Sequence, residues 1–219
     1  MEKIMISIII PTMYKSPRLP KLIQDLEQHN LVSEILLIED TPSIGMLDNI
    51  TTTKTTIYPF TKKRYCNGAW NFGVSKVKNH FYALCNDDIN FNTNIIDDVF
   101  YFYQSKPNMG FVGMHHTSYI YQKAEMYAIQ KNQPNTENYG WGCLIFNHKN
   151  NDVIIPDDLK NYFGDNFYRE NSKFQNWDYI GHKIETEMST TSKNVPMDLE
   201  KDIWESKYKK YHDQKYKIS

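Results

Sequence analysis

Cysteine and arginine are both scarce in this chain, with three of each. The three cysteines, Cys66, Cys85 and Cys143, are odd in number and far apart. That excludes a disulfide scaffold and any CxxC-type zinc site, and it fits a reducing compartment. Only Arg18, Arg64 and Arg169 among the 25 basic residues are arginine. With Lys, Asn, Ile and Tyr abundant, the composition fits AT-rich coding DNA of the kind found in viruses, phages and low-GC bacteria. Neither sign of charge dominates, because 26 acidic residues leave a net charge of −1. Nucleic-acid binding through bulk charge is therefore not expected. Long apolar runs are missing as well. The run Ile4–Ile10 stops at Pro11, whereas a transmembrane helix needs about 20 residues. A secretory leader would want basic residues before the run and small ones after it. A cytoplasmic protein without a membrane span is expected (in the host cytoplasm if the source is viral). Two phosphate-binding signatures are also absent: GxxxxGK[ST], and GxGxxG after the first strand.

What is present is a chain of 219 residues with 40% apolar and 23% charged residues, enough to bury its own core as one domain. Ile6–Ile10 is a continuous β-branched run, as in a strand buried on both faces. Ser16-Pro17 and Pro20 open a helix through Leu22, Ile23 and Leu26. Glu34–Ile38 predicts a second buried strand, Thr55–Tyr58 a weaker third, and Phe81–Cys85 a fourth. Helices are predicted over Asn67–Lys78 and Thr93–Gln104. Strands separated by helices indicate an α/β fold with a mostly parallel sheet flanked by helices. After Gly110 the pattern changes. Phe111–His115, Tyr119–Ile129 and Trp141–Phe146 read as strands of a mixed-sheet C-terminal half. Asp157–Phe163 and Asp165–Ser172 read as short helices. A charged terminal helix is predicted from Met197 to Tyr211. The divisions expected are 1–110, 111–196 and 197–219, all within one domain.

In an open α/β sheet, ligands bind beyond the carboxyl ends of the strands. Three polar clusters follow apolar strands directly: Pro11-Thr12, Glu39-Asp40 and Asn86-Asp87-Asp88. All three are expected on one rim. Acidic groups that close are costly without a cation or a donor partner. A hard divalent cation, held by one or two carboxylates and completed by substrate phosphates, satisfies them. With no glycine cradle available, the ligand indicated is a nucleotide diphosphate whose phosphates are neutralised by metal.

At these residues the sequence resembles the GT-A glycosyltransferases, especially the family-2-like inverting branch. The opening pattern is Ile8-Ile9-Ile10-Pro11-Thr12, and the second-strand signature is Leu37-Ile38-Glu39-Asp40-Thr41. Trp70-Asn71-Phe72-Gly73-Val74 is similar to the helical Asn-x-Gly segment. Asn86-Asp87-Asp88 stands for the Asp-x-Asp metal motif, with Asn at its first position. Gly140-Trp141-Gly142-Cys143-Leu144-Ile145-Phe146 looks like the glycine-rich strand beside the acceptor, and Gly164-Asp165-Asn166 like the segment carrying the catalytic Asp. The resemblance runs from Ile6 to about Arg169.

It implies a GT-A fold and a metal-dependent glycosyltransferase that moves a sugar from a UDP- or dTDP-sugar to an acceptor hydroxyl with inversion. The donor would bind in residues 1–110 and the acceptor in 111–196. Asp40 is expected to read the base, with Pro11, Thr12, Arg64, Asn71 and Asp87 around the nucleotide-sugar. Asp88 is the expected ligand of Mn²⁺ or Mg²⁺. Asp165 is the expected general base, working near the ordinary carboxylate pKa of ~4. Trp141 and Gly142 are expected on the acceptor side. The acceptor implied is a glycan or glycoprotein, with a modified DNA base as a minor alternative.

Rival expectations are a catalytically inactive nucleotide-sugar or glycan binder, and a sugar-1-phosphate nucleotidyltransferase. The glycine-free segment Pro11–Pro17 opposes the latter. Lesser candidates have plainer alternatives. His115, His116 and Tyr139 are as readily core or surface residues, and His182 is a weak candidate for the metal shell. The basic tail from Lys207 to Lys217 is either a solvated terminus or a guide for an anionic acceptor or membrane surface.

Overall fold

The computed structural model describes residues 4–42, 47–106, 108–114, 143–182, 184–186 and 196–209, and the backbone of 125–128. The β-branched run at the start forms β1 (Ile6–Thr12), which continues through Pro11 to place Thr12 at its carboxyl end. Pro at the first turn opens α1 (Leu19–Gln28), which turns Leu19, Leu22, Ile23 and Leu26 inward. β2 (Val32–Glu39) is buried along most of its length, and β3 (Thr55–Tyr58) is half-exposed. α2 (Tyr65–Lys76) begins two residues earlier than its apolar spacing suggests. β4 (Phe81–Cys85) lies where predicted, and a short β5 (Ile89–Phe91) follows Asp88 directly. α3 (Asn94–Ser105) completes the first half.

The second half holds β6 (Met109–Met114), β7 (Glu125–Ala128) and β8 (Leu144–His148). A 3₁₀ turn over Lys149–Asn151 follows, then α4 (Gly164–Asn171), β9 (Gln175–Ile180) and β10 (Ile184–Thr186). The last helix among the described residues, α5 (Asp198–Ile203), runs on as a π-helical turn to Tyr208.

The main sheet has the order β3-β2-β1-β4-β8-β6-β9-β7. β1 to β4 are mutually parallel. β8 pairs antiparallel with both β4 and β6, β9 parallel with β6, and β7 antiparallel with β9. β5 and β10 form a separate antiparallel pair. The mostly parallel sheet flanked by helices is therefore present, and the second half extends the same sheet. Parallel strands need both faces covered, and the period of two shows how. Ile8, Ile10, Ile35, Leu37, Ala83 and Cys85 share one core with α1 and α3. Ile9, Leu36, Ile38, Tyr82 and Leu84 face the other, with α2, α4 and α5. Gly73 lets α2 approach β1 closely, since a Cβ there would collide with Ile9.

One sequence expectation gives way, and two strands stand where none was expected. Asp157–Phe163 is not a helix, because its backbone groups are taken by side chains from distant parts of the chain, as described below. Gln175–Ile180 and Ile184–Thr186, which carry little apolar alternation, are strands by pairing with β6 and β5. No helix among the described residues is long and apolar enough to cross a membrane.

Candidate functional site

The carboxyl ends of β1, β2 and β4 are stitched into one rim. The Asp40 amide donates to the Thr12 carbonyl at 2.9 Å, linking β2 to β1. The Thr12 hydroxyl donates to Asp87 Oδ2 at 2.6 Å, linking β1 to the turn after β4. Thr12 Oγ1 in turn accepts the Tyr14 amide at 2.9 Å, where Tyr14 takes a left-handed conformation (φ 55°). That conformation turns the chain sharply after the strand and buries the ring. The Tyr14 hydroxyl donates to Glu39 Oε1 at 2.6 Å, and the Phe60 amide reaches Glu39 Oε2 at 3.1 Å.

Asp40 and Arg64 meet at the start of α2. Asp40 Oδ1 accepts the amides of Arg64 and Tyr65 at 2.5 and 3.1 Å. Capping by a carboxylate suits the positive end of a helix. It also fixes the direction of the Asp40 carboxyl. The Arg64 guanidinium lies over the Phe72 ring at 4.3 Å, with its Nη1 buried and without a hydrogen-bond partner. A buried donor left unsatisfied costs about 1–3 kcal/mol, so a ligand oxygen here would recover that cost.

Asn71 is fully occupied by backbone: its Nδ2 donates to the Ile155 carbonyl at 2.8 Å and its Oδ1 accepts the Ile155 amide at 3.1 Å. It holds the Ile155 segment against α2. Pro11 lies one residue before the end of β1, opposite Ile38 and beyond the last β4 pair, Ile9↔Leu84.

Asp87 is pushed up to about 6, first by burial and further by the charge of Asp88, against hydrogen bonds from Thr12 and the Met13 amide. A buried acid raised further by its neighbour's charge is relieved by a compensating cation or donor. Their donor chemistry is hard oxygen, suited to Mg²⁺ or Mn²⁺. Among the described residues no group of three or more His, Cys, Asp or Glu is arranged to hold a metal by itself. The residues fit a cation shared with a phosphate ligand, the arrangement usual for Mg²⁺.

Asp165 sits in the first turn of α4, next to Gly164. Burial raises its carboxyl above the ordinary carboxylate range, opposed by the amides of Asn166 and Asp165 and the charge of Arg169. The expectation that it works near an ordinary pKa is thus corrected. The Cys66 thiol marks the convergence of the two halves. Burial raises it, and so do the charges of Asp87, Asp40, Asp88 and Asp165. Cys143 is pushed up to about 12 by burial and by Asp88 and Asp165. Both thiols are therefore protonated at neutral pH and are poor nucleophiles. Trp141, Gly142, Tyr139, His115 and His116 lie outside the described residues, as does the tail from Lys210 onward.

Sequence reasoning missed the residues that hold the Asp165 loop. Asn67 Nδ2 donates to the carbonyls of Leu159 and Tyr162, each at 3.0 Å. Its amide donates to the Lys160 carbonyl at 2.9 Å. Glu200 from α5 accepts the amides of Lys160, Asn161 and Tyr162 at 2.9–3.0 Å. Only the position of Glu200 in a first helical turn was visible beforehand, and that is an ordinary place for an acid.

With this geometry in place, the known structures can be compared. S. aureus TarS 1–349 superposes with a TM-score of 0.60 at 11% identity, over 81% of this chain and 60% of that one. The fold is GT-A-like. The same TarS segment in complex with UDP-GlcNAc gives 0.61 at 12% identity, over 82% and 57%. Its complex with UDP gives 0.59 at 11%, over 80% and 60%. This chain therefore spans less than two thirds of those neighbours. The sequence matches no protein-family model and no curated protein.

Proposed function

We propose that this GT-A-like chain is a nucleotide-diphospho-sugar glycosyltransferase, with the donor on the β1–β2–β4 rim and Asp165 facing the acceptor. The observation that carries the reading is the rim itself, where the Asp40 amide bonds the Thr12 carbonyl, the Thr12 hydroxyl donates to Asp87 beside Asp88, and the Asp40 carboxylate caps α2. Such a concentration of acid at the strand ends is costly to the empty fold and is offset by a cationic or donor-rich ligand. A neighbour of the same fold holds UDP-GlcNAc, which supports a uridine diphosphate donor.

Within this reading each side chain has a task. Asp40, aimed by the amides of Arg64 and Tyr65, accepts the imide N–H of the base. Thr12 holds Asp87 in place, and Asp87 and the Pro11-Thr12 strand end lie against the ribose. Arg64 directs its unpartnered Nη1 to a diphosphate oxygen. Asn71 supports the rim through the Ile155 segment. Asp88, with Asp87 beside it, would hold the Mn²⁺ or Mg²⁺ bound with the donor. That ion, when bound, stabilises charge growing on the departing diphosphate.

Asp165 takes the proton of an acceptor hydroxyl as its oxygen attacks the anomeric carbon. The electron pair of the broken sugar–phosphate bond leaves with the nucleoside diphosphate, and attack from the opposite face inverts the centre. The acceptor proposed is a glycan or glycoprotein hydroxyl.

The direct test is a thermal-shift panel of UDP-, dTDP-, GDP- and CMP-sugars with Mn²⁺, followed by detection of the released nucleotide. Stabilisation and turnover with a UDP- or dTDP-sugar are expected. Stabilisation without release under any acceptor would leave a binding protein. No response to any nucleotide sugar would reject the site.

A further inference from the structure

Lys160, Asn161 and Tyr162 immediately precede the left-handed Phe163 (φ 59°) and the Gly164-Asp165 start of α4. Their three amides and the Tyr162 carbonyl are bound by side chains from far along the sequence. Glu200, only 5% exposed, takes all three amides on one carboxylate, Lys160 and Tyr162 at 2.9 Å and Asn161 at 3.0 Å. Three successive amides converging on one carboxylate form an anion-binding nest, here filled by the protein itself. From the other side Asn67 takes the carbonyls, and Asn161 Oδ1 accepts the Cys66 amide at 3.3 Å.

Around this anchor α5 and its π-helical turn are clamped on the same loop. Trp204 stacks on Phe163 with ring centroids 5.8 Å apart and planes 5° apart. Tyr208 and Lys207 both reach Asp158 at 2.8 Å, and Tyr208 meets Phe167 of α4 edge-on at 5.6 Å. Gly164 has no room to shift toward α2, since a Cβ there would run into Asn67 Oδ1.

We propose that Glu200 is a positioning residue for Asp165, α5 serving as the outer wall that fixes the Asp165 loop against α2. The functional part of this inference rests on the reading of Asp165 as the general base. A displacement of about 1 Å in a catalytic group costs roughly 10²-fold in rate, so a buried acid that locks three amides one turn upstream sets the rate without touching substrate. Among the described residues Arg169 is the charge that acts on Asp165 and Glu200 is not, so a change at Glu200 reaches Asp165 through geometry rather than charge.

The test uses the full chain carrying Glu200→Gln, with Glu200→Asp as a second variant that keeps the charge. Asp165 is titrated by carboxyl-carbon NMR, and UDP release from UDP-GlcNAc with Mn²⁺ is followed in parallel. In Glu200→Gln the Asp165 midpoint should fall by about half a unit or more as water enters the loosened loop. UDP release should drop about 10-fold or more at unchanged donor affinity. The double variant with Asp165→Asn should lose no more than Asp165→Asn alone. An Asp165 midpoint that stays put in both Glu200 variants would overturn the proposal. If Asp165→Asn leaves UDP release intact while the midpoint still moves, the base reading fails and the positioning contact stands.

Discussion

The two halves of the sheet position their acids by different means. On the β1–β2–β4 rim, Thr12, Asp40 and Asp87-Asp88 are delivered by strand register. Ile10, Leu37 and their neighbours bury both faces, and the first polar residues past each strand necessarily reach the same edge. The bonds among them join strand ends directly. In the second half, Asp165 stands at a helix start whose approach has no regular structure. Its place depends on Asn67 and Glu200, each a buried polar side chain that reaches across the fold. The first arrangement follows from strand burial. The second needs every long-range contact to be made, so single substitutions should reach it more easily.

The largest effect expected is at Asp165 itself. Asp165→Asn should lower transfer by about 10²–10⁴-fold while donor affinity stays put. It should also raise the melting temperature at neutral pH. Burial lifts the folded carboxyl's pKa, so its neutral form favours the fold, and stability falls as pH rises from the unfolded pKa through the folded one. A pure helix cap predicts the reverse, normal turnover and a lower melting temperature. Calorimetric scans of the two proteins at pH 7 separate these outcomes.

Asn67→Ala comes next and addresses the contrast between halves. It strips one buried and one partly buried carbonyl of their donor, at a cost of about 1–3 kcal/mol. Denaturant unfolding should show that loss, and transfer should fall while donor binding, read by calorimetry, is retained. Equal losses of donor affinity and transfer would show that the halves are not separable.

The smallest effect expected is in the pH profile. A base whose pKa lies above the ordinary carboxylate range is inactive while protonated. The rate should therefore rise with pH along a limb above that range. A rate already flat at the ordinary carboxylate value would contradict the raised pKa of Asp165.

How much of this was legible in the sequence follows the same division. Ile6–Ile10, Glu34–Ile38 and Phe81–Cys85 announce their strands, because burial on both faces leaves a continuous apolar run. From them the rim residues follow. Gly73 was visible as part of a motif, and the structure explains it by the approach of α2 to Ile9. Asp157–Phe163 was misread as a helix, since periodicity carries no record of amides captured by Glu200, about 40 residues away. β9 and β10 were missed because their sequences are polar and their pairing is non-local. The clamp by Asn67 and Glu200 had no signal at all: an Asn in a helix and an acid in a first turn are ordinary until the fold brings them together.

Cation-dependent binding of a nucleotide sugar at the acid-rich rim, as proposed, is tested by titrating UDP-GlcNAc into the protein calorimetrically, with Mn²⁺ and again with EDTA, for the native chain and Asp88→Ala. Binding that requires Mn²⁺ and weakens by about 10-fold or more in Asp88→Ala is the predicted result, in keeping with the loss of a metal-ligating carboxylate. Equal affinity in Mn²⁺ and EDTA, with Asp88→Ala unchanged, would contradict it.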